Sequence, residues 1–250
     1  MDTLAVINQK GGVGKSTTAM AMGAGLILKG YSVLYIDLDA QGNLSYSMAA
    51  DTTSKTALDV LQGLSSPQAA IQHTGQGDII ASSPALAGAD TIMTTTGKEY
   101  KLKEALDHVK GSYDFIIIDT PPALGILTIN ALTACTGAII PAQADIYSLK
   151  GINQLYSTIE AVRRYCNPDL IIKGIVLTRY SPRTVISREV AELIGQTAER
   201  LHTKLYTTAI RESTAIKESQ AKRQSIYSYA PRSNAAIDYM TLVDELIKGE

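Results

Sequence analysis

Residues 9–17 read Gln9-Lys10-Gly11-Gly12-Val13-Gly14-Lys15-Ser16-Thr17. An apolar run, Leu4-Ala5-Val6-Ile7, precedes them, and a long apolar-periodic stretch from Thr17 to Leu28 follows. Strand, glycine-rich turn, helix is the setting that a phosphate-binding loop requires. Gly11, Gly12 and Gly14 let the backbone N–H groups around Val13 point into one concavity and close on phosphate oxygens. Lys15 brings a point charge to the β- and γ-phosphates, the Ser16 hydroxyl is placed to ligate Mg²⁺, and the helix opening at Thr17 adds its dipole. The chain is therefore expected to bind a nucleoside triphosphate with Mg²⁺.

Length and composition fit that setting. At 250 residues and 45% hydrophobic, one large core can be buried, so a single α/β domain over residues 1–250 is expected. No apolar run approaches the length of a membrane span, and no signal peptide is evident at the N-terminus. Cys135 and Cys166 show neither metal spacing nor a disulfide framework and read as thiols of a reducing cytoplasm. Short β-branched runs at Thr3–Asn8, Ser32–Ile36, Asp78–Ala81, Asp114–Ile118, Ala138–Pro141, Ile171–Thr178 and Lys204–Thr208 alternate with helical patterns near 17–29, 98–110, 124–134, 149–165, 185–202 and 233–248. That alternation predicts a doubly wound α/β fold, a mostly parallel sheet flanked by helices. The polar stretch from Gln41 to Ser66 is the least legible part.

Two carboxylate motifs sit at the ends of expected strands, where ligands lie in open α/β sheets. In Tyr35-Ile36-Asp37-Leu38-Asp39-Ala40-Gln41-Gly42-Asn43, alternation aims Asp37 and Asp39 the same way, toward the phosphate loop. In Phe115-Ile116-Ile117-Ile118-Asp119-Thr120-Pro121-Pro122, a continuously apolar strand ends in an aspartate. That is the Walker B arrangement, in which Asp119 holds Mg²⁺ through a water.

The phosphate loop also departs from the common pattern G-x-x-x-x-G-K-[ST]: Gln9 stands where a glycine is usual, and a second lysine, Lys10, lies five residues before Lys15. Lys10 is too early in the turn to reach phosphates held by its own loop, but it can reach those held by a facing copy. These residues resemble the deviant Walker A ATPases, K-G-G-V-G-K-[ST], whose second lysine makes that cross-subunit contact. Within them, Asn8-Gln9 before the lysine and the D-x-D-x-Q-G-N pattern at 37–43, with Ala40 where proline is usual, look most like the ParA/Soj partition ATPases. The resemblance implies an ATP-driven homodimer, slow ATP hydrolysis stimulated by a ParB-like centromere-binding partner, and non-specific DNA as a further partner. It implies that Asp39 positions or activates the attacking water, and that Asp37 lies nearer the metal shell. The base is implied to be adenine, packed near Thr178, Arg179 and Pro231. Localisation is then cytoplasmic and nucleoid-associated.

Charge is distributed unevenly behind a net −1: residues 1–149 hold 8 Lys/Arg against 13 Asp/Glu, whereas Arg163 to Arg232 holds 13 basic against 6 acidic residues. Such an accumulation suggests an anionic partner. The DNA-contact candidates are Arg179, Arg183, Arg188, Arg211, Lys217, Lys222, Arg223 and Arg232. Arg183 matches a basic position implicated in DNA contact in the family, while Ala215 stands at what looks like a second such position, flanked by Arg211 and Lys217. The alternative is a MinD-like membrane-cycling ATPase. That family ends in a basic amphipathic helix, whereas the last helix here carries Asp238, Asp244, Glu245 and Glu250 against Lys248, the wrong sign for an anionic bilayer.

Overall fold

The computed structural model describes residues 1–249; Glu250 lies outside them. The chain runs β1 (Asp2–Val6), α1 (Lys15–Leu28), β2 (Val33–Asp37), α2 (Asn43–Ser47), α3 (Ala57–Leu61) and α4 (Pro67–Ala70). It continues through β3 (Ile71–Thr74), β4 (Gly77–Ile80), α5 (Ala89–Ile92), α6 (Lys101–Asp107), β5 (Phe115–Asp119) and α7 (Ile126–Ala134). The last third holds β6 (Gly137–Ala142), α8 (Ile146–Tyr165), β7 (Ile171–Leu177), α9 (Val185–Arg200), α10 (Thr214–Ala221), α11 (Ile226–Tyr229) and α12 (Asn234–Lys248).

The strands form one seven-stranded sheet in the order β3-β4-β2-β5-β1-β6-β7, the doubly wound sheet expected from the alternation. All neighbouring pairs are parallel except β3 with β4. Alternate residues divide the core into two layers. Leu4, Val6, Tyr35 and Ile117 face the layer that contains α1, α2, α11 and α12. Ala5, Leu34, Ile36 and Ile118 face the layer that contains α3, α6, α7, α8 and α9. α12 packs Tyr239, Leu242 and Val243 into this core, while its Ile237 and Ile247 stay exposed. Among the described residues, no helix is long and apolar enough to cross a membrane.

Close approach at one glycine sets a stability prediction. A Cβ on Gly23, in the middle of α1, would meet the ring and hydroxyl of buried Tyr35 at 2.4 Å. That hydroxyl is itself anchored, donating to the Met20 carbonyl at 3.2 Å. Gly23→Ala should therefore destabilise: overpacking costs about 1–3 kcal/mol, which outweighs the roughly 1 kcal/mol that alanine gains over glycine inside a helix. Thermal unfolding should show a lower Tm, by about 2–4 °C per kcal/mol lost at this chain length; an unchanged or raised Tm would refute the packing argument.

Two expectations need correction. Lys204–Thr208 forms no strand: it touches β7 through a single parallel bridge, Ile175 with Leu205. The Thr207 and Thr208 N–H groups bond the Glu245 carboxylate of α12 instead of a neighbouring strand. Conversely, the sequence shows no signal for β3, a four-residue antiparallel edge strand (Ile-Gln-His-Thr) without an apolar run. The Gln41–Ser66 stretch contains α2 and α3, both only five residues long.

Candidate active site

β1 lies between β5 and β6 at the middle of the sheet, so the loop that leaves it opens where the strand order reverses, the ligand-binding crevice of open α/β sheets. Val6 pairs with Asp119, and Asp119 with Asp37, in register across three strand ends. Backbone twist forms the cradle: Gly12 and Gly14 take φ of 75° and 92°, left-handed values that favour glycine. Helix α1 begins at Lys15 rather than Thr17, which places Lys15, Ser16 and Thr17 in its first turn. Gly11, Gly12, Gly14, Lys15, Ser16 and Thr17 line one side of an open cleft of about 560 Å³; Asp39, Gln41, Asn43, Tyr46 and Pro122 line the rest with Gln220.

Lys15 is buried, and its ammonium reaches the Lys10 carbonyl at 3.3 Å. Burial lowers its pKa, a fall opposed by the nearby Asp119 and Asp39 carboxylates. Asp119 is fully buried, and among the described residues neither carboxylate oxygen has a hydrogen-bond partner. Burial chiefly, and then Asp37, push its pKa well above the ordinary carboxylate range, while the Ser16 hydroxyl and the Lys15 ammonium act the other way. An unpartnered buried carboxylate beside a hydroxyl and a phosphate cradle is costly without a cation or a water to satisfy it. Ser16 and Asp119 therefore fit Mg²⁺. No group of three or more His, Cys, Asp or Glu among the described residues could hold a metal alone, so phosphate oxygens and water would complete the shell.

Asp37, which the resemblance places near the metal shell, lies beside Asp119 at the end of β2. Its Oδ2 accepts from the Ser45 N–H at 2.8 Å and the Ser45 hydroxyl at 2.7 Å, and its Oδ1 from the Asp39 N–H at 3.1 Å. Burial raises its pKa to about 6, against these bonds. With both oxygens engaged, Asp37 anchors the start of α2 and the Asp39 backbone. Asp39 lines the cleft; its Oδ1 accepts from the Gln41 N–H at 3.0 Å, and its carbonyl accepts from the Ser82 hydroxyl. Its second oxygen has no hydrogen-bond partner among the described residues.

Lys10 does not line this cleft. Its ammonium pairs with Asp145, the N-cap of α8, and donates to Gln143 Oε1 at 3.2 Å. Thr178 and Arg179 line a smaller cavity of about 150 Å³ on the far side of Gly12, Gly14 and Thr17, with Ile210, Ile216 and Tyr239 among its other walls. The Thr178 hydroxyl also donates to the Val13 carbonyl at 2.7 Å. Pro231, in the exposed turn before α12, lines neither cavity.

The basic candidates do not form one set. Arg179 pairs with Glu212 at 2.8 Å, and Arg211 grips Asp238 of α12 through Nε and Nη2. Arg183 is exposed in the turn before α9; Arg188, in the first turn of that helix, donates to the Pro182 carbonyl at 3.0 Å. Lys217 and Lys222 are exposed on α10 and its C-cap, Arg232 is exposed in the turn before α12, and the Arg223 guanidinium sits 4.4 Å from the ring centroid of Tyr46. Sequence reasoning missed Gln220, whose amide donates to the Thr17 hydroxyl at 2.9 Å across 203 positions, and Asp145. Neither carries a local sequence signal.

Comparison with known proteins accords with this geometry. The AAA domain family model matches residues 1–172. The sporulation initiation inhibitor protein Soj of Bacillus subtilis is 38% identical over 97% of this chain and 97% of its own. The chromosome partitioning protein ParA of Caulobacter vibrioides is 36% identical over 99% of this chain and 94% of its own. Among solved structures, cobyrinic acid a,c-diamide synthase from Mycobacterium smegmatis, with bound ATP analog and magnesium, is 35% identical with a TM-score of 0.86, covering 99% of this chain and 95% of that one. The chain belongs to the ParA/Soj family of partition ATPases, with the deviant Walker A loop and the P-loop fold of that family.

Proposed function

We propose that this chain is an ATP-driven partition switch: two copies close face to face on ATP, the dimer holds DNA without sequence preference, and a ParB-like centromere-binding partner triggers hydrolysis. The observation that carries this reading is Lys10. Its ammonium lies outside the cradle that Lys15 serves and is held by Asp145, so its natural phosphate target belongs to a second copy.

Within each subunit, Gly12 to Thr17 offer backbone donors to the phosphates and Lys15 supplies charge at their β–γ end. Mg²⁺, held by Ser16 and through water by Asp119, would neutralise the charge that develops on the transferred phosphoryl group. Asp39 orients the attacking water from the α2 side of the cleft. The cavity lined by Thr178 and Arg179 takes the adenine, with Pro231 outside it. Phosphate contacts from Arg183, Arg188, Lys217, Lys222 and Arg223 are individually weak. A dimer presents two such sets and gains avidity, which makes DNA binding depend on ATP. Arg179 and Arg211 contribute only where DNA displaces Glu212 and Asp238. The protein then works in the cytoplasm on the nucleoid, as one ATPase domain.

DNA affinity measured with ATP, with ADP and without nucleotide tests the reading. Binding should be tightest with ATP, indifferent to sequence, and should weaken steeply with salt, roughly tenfold or more between low and physiological salt for only a few phosphate contacts. Equal affinity in all three states would remove the switch.

A further inference from the structure

The β3–β4 turn places one carboxamide between the nucleotide cleft and the basic segment. Gln76 Nε2 donates to the carbonyl of Ser47, the last residue of α2, at 2.7 Å. The same nitrogen donates to the carbonyl of Arg223, just past α10, at 2.8 Å. Carbonyls at a helix C-terminus lack partners within the helix, and here one side chain satisfies a carbonyl at each of two helix ends.

Both ends share an uncommon geometry. Ala49 after α2 and Arg223 after α10 take φ of 57° and 52°, left-handed values where glycine is the ordinary choice. Ala49 and Ala50 N–H bond back to Tyr46 and Ser45, and Arg223 and Gln224 N–H bond back to Gln220 and Ser219, the same closing pattern twice. For Arg223 this conformation carries a steric strain that a glycine would avoid. Such strain persists only where the surroundings hold it; here Gln76 holds the Arg223 carbonyl and Tyr46 stacks on its guanidinium.

We propose that Gln76 is a positioning residue that couples the Asp39–α2 wall of the nucleotide cleft to the basic segment Lys217–Arg223. The coupling reports nucleotide state to the DNA face within a single subunit. It rests on the DNA-binding reading for its consequence but not for its mechanism. α2 follows the Asp39 loop directly, and its Tyr46 and Ser47 line the cleft opposite Gln220 and Ala221 of α10. A shift of α2 on the γ-phosphate therefore pulls the Arg223 carbonyl through Gln76, and Lys217 and Lys222 move with α10.

The test compares Gln76→Leu, which removes both donors and also the unpartnered Oε1, with Gln76→Lys, whose ammonium can still cap both carbonyls. Hydrogen exchange is followed over residues 43–50 and 217–224 with and without ATP, and DNA affinity is measured with ATP and ADP. In the unmodified chain ATP should protect both segments. In Gln76→Leu it should protect 43–50 alone, and the ATP-to-ADP affinity ratio should fall from the roughly 5–150-fold usual for coupled sites to within about twofold. Gln76→Lys should restore both readouts. A merely structural role would lower protection equally in every nucleotide state. Retained ATP-induced protection of 217–224 in Gln76→Leu, or its absence in the unmodified chain, overturns the coupling. If the unmodified chain shows linked protection yet binds no DNA, the DNA reading fails and the coupling stands.

Discussion

Asp39→Ala should slow ATP hydrolysis by about 10²–10⁴-fold, the range that a positioned general base or water-orienting group contributes, while ATP binding persists or tightens. The carboxylate lines the cleft near Lys15 but holds no helix in place: among the described residues its only side-chain hydrogen bond is to the Gln41 N–H. Removing it takes a negative charge away from the place where the triphosphate would sit. The two neighbouring aspartates should behave differently. Asp37→Ala would free the Ser45 N–H and hydroxyl and loosen α2, a stability defect. Asp119→Ala would weaken Mg²⁺ dependence. Single-turnover phosphate release, with size-exclusion chromatography in ATP, separates the three. For Asp39→Ala the expected result is a lasting dimer that holds ATP. Hydrolysis at the unmodified rate, or ATP binding lost along with it, would move the catalytic assignment elsewhere.

What was legible in the sequence was contiguous. The phosphate loop depends on glycine spacing and on the strand and helix at its two ends, all within 28 residues, and the apolar runs ending in Asp37 and Asp119 state their own strand register. In the β2–β5 register the two carboxylates lie side by side, a pairing that neither run announces, and neither run says how many donors each would meet. Ser45, which satisfies Asp37, lies eight residues away on a short helix of polar sequence, Asn-Leu-Ser-Tyr-Ser, with no periodicity to announce it. Long-range pairing was illegible for the same reason. Gln220 with Thr17, Gln76 with Arg223 and Lys10 with Asp145 each join residues more than 130 positions apart. Charge counting likewise saw thirteen basic residues in one stretch but not that Arg211 is tied to Asp238.

Lys10 and Asp145 form one ion pair, yet replacing them should change dimerisation in opposite directions. Charge-assisted hydrogen bonds contribute about 1.5–3 kcal/mol each, and a two-fold dimer holds two such contacts. Lys10→Ala should therefore weaken ATP-driven association by about 10²–10⁴-fold, with nucleotide binding to the single chain nearly unchanged because Lys15 and the loop backbone remain. The Lys10–Asp145 pair itself is shallow: the two side chains are 30% and 32% exposed, and a pair so placed is worth about 0.2–1 kcal/mol. Lys10 can leave it at little cost when a γ-phosphate arrives. Asp145→Asn keeps an N-cap on α8, since asparagine caps as well as aspartate, but removes the charge that retains the ammonium. It should strengthen ATP-driven dimerisation by up to about thirtyfold, the inverse of that small pairing energy counted once in each subunit. Sedimentation of each variant with ATP and with ADP reads both shifts. A structural ion pair would make the two variants fail alike, whereas a lysine held in reserve for a second copy requires that they diverge.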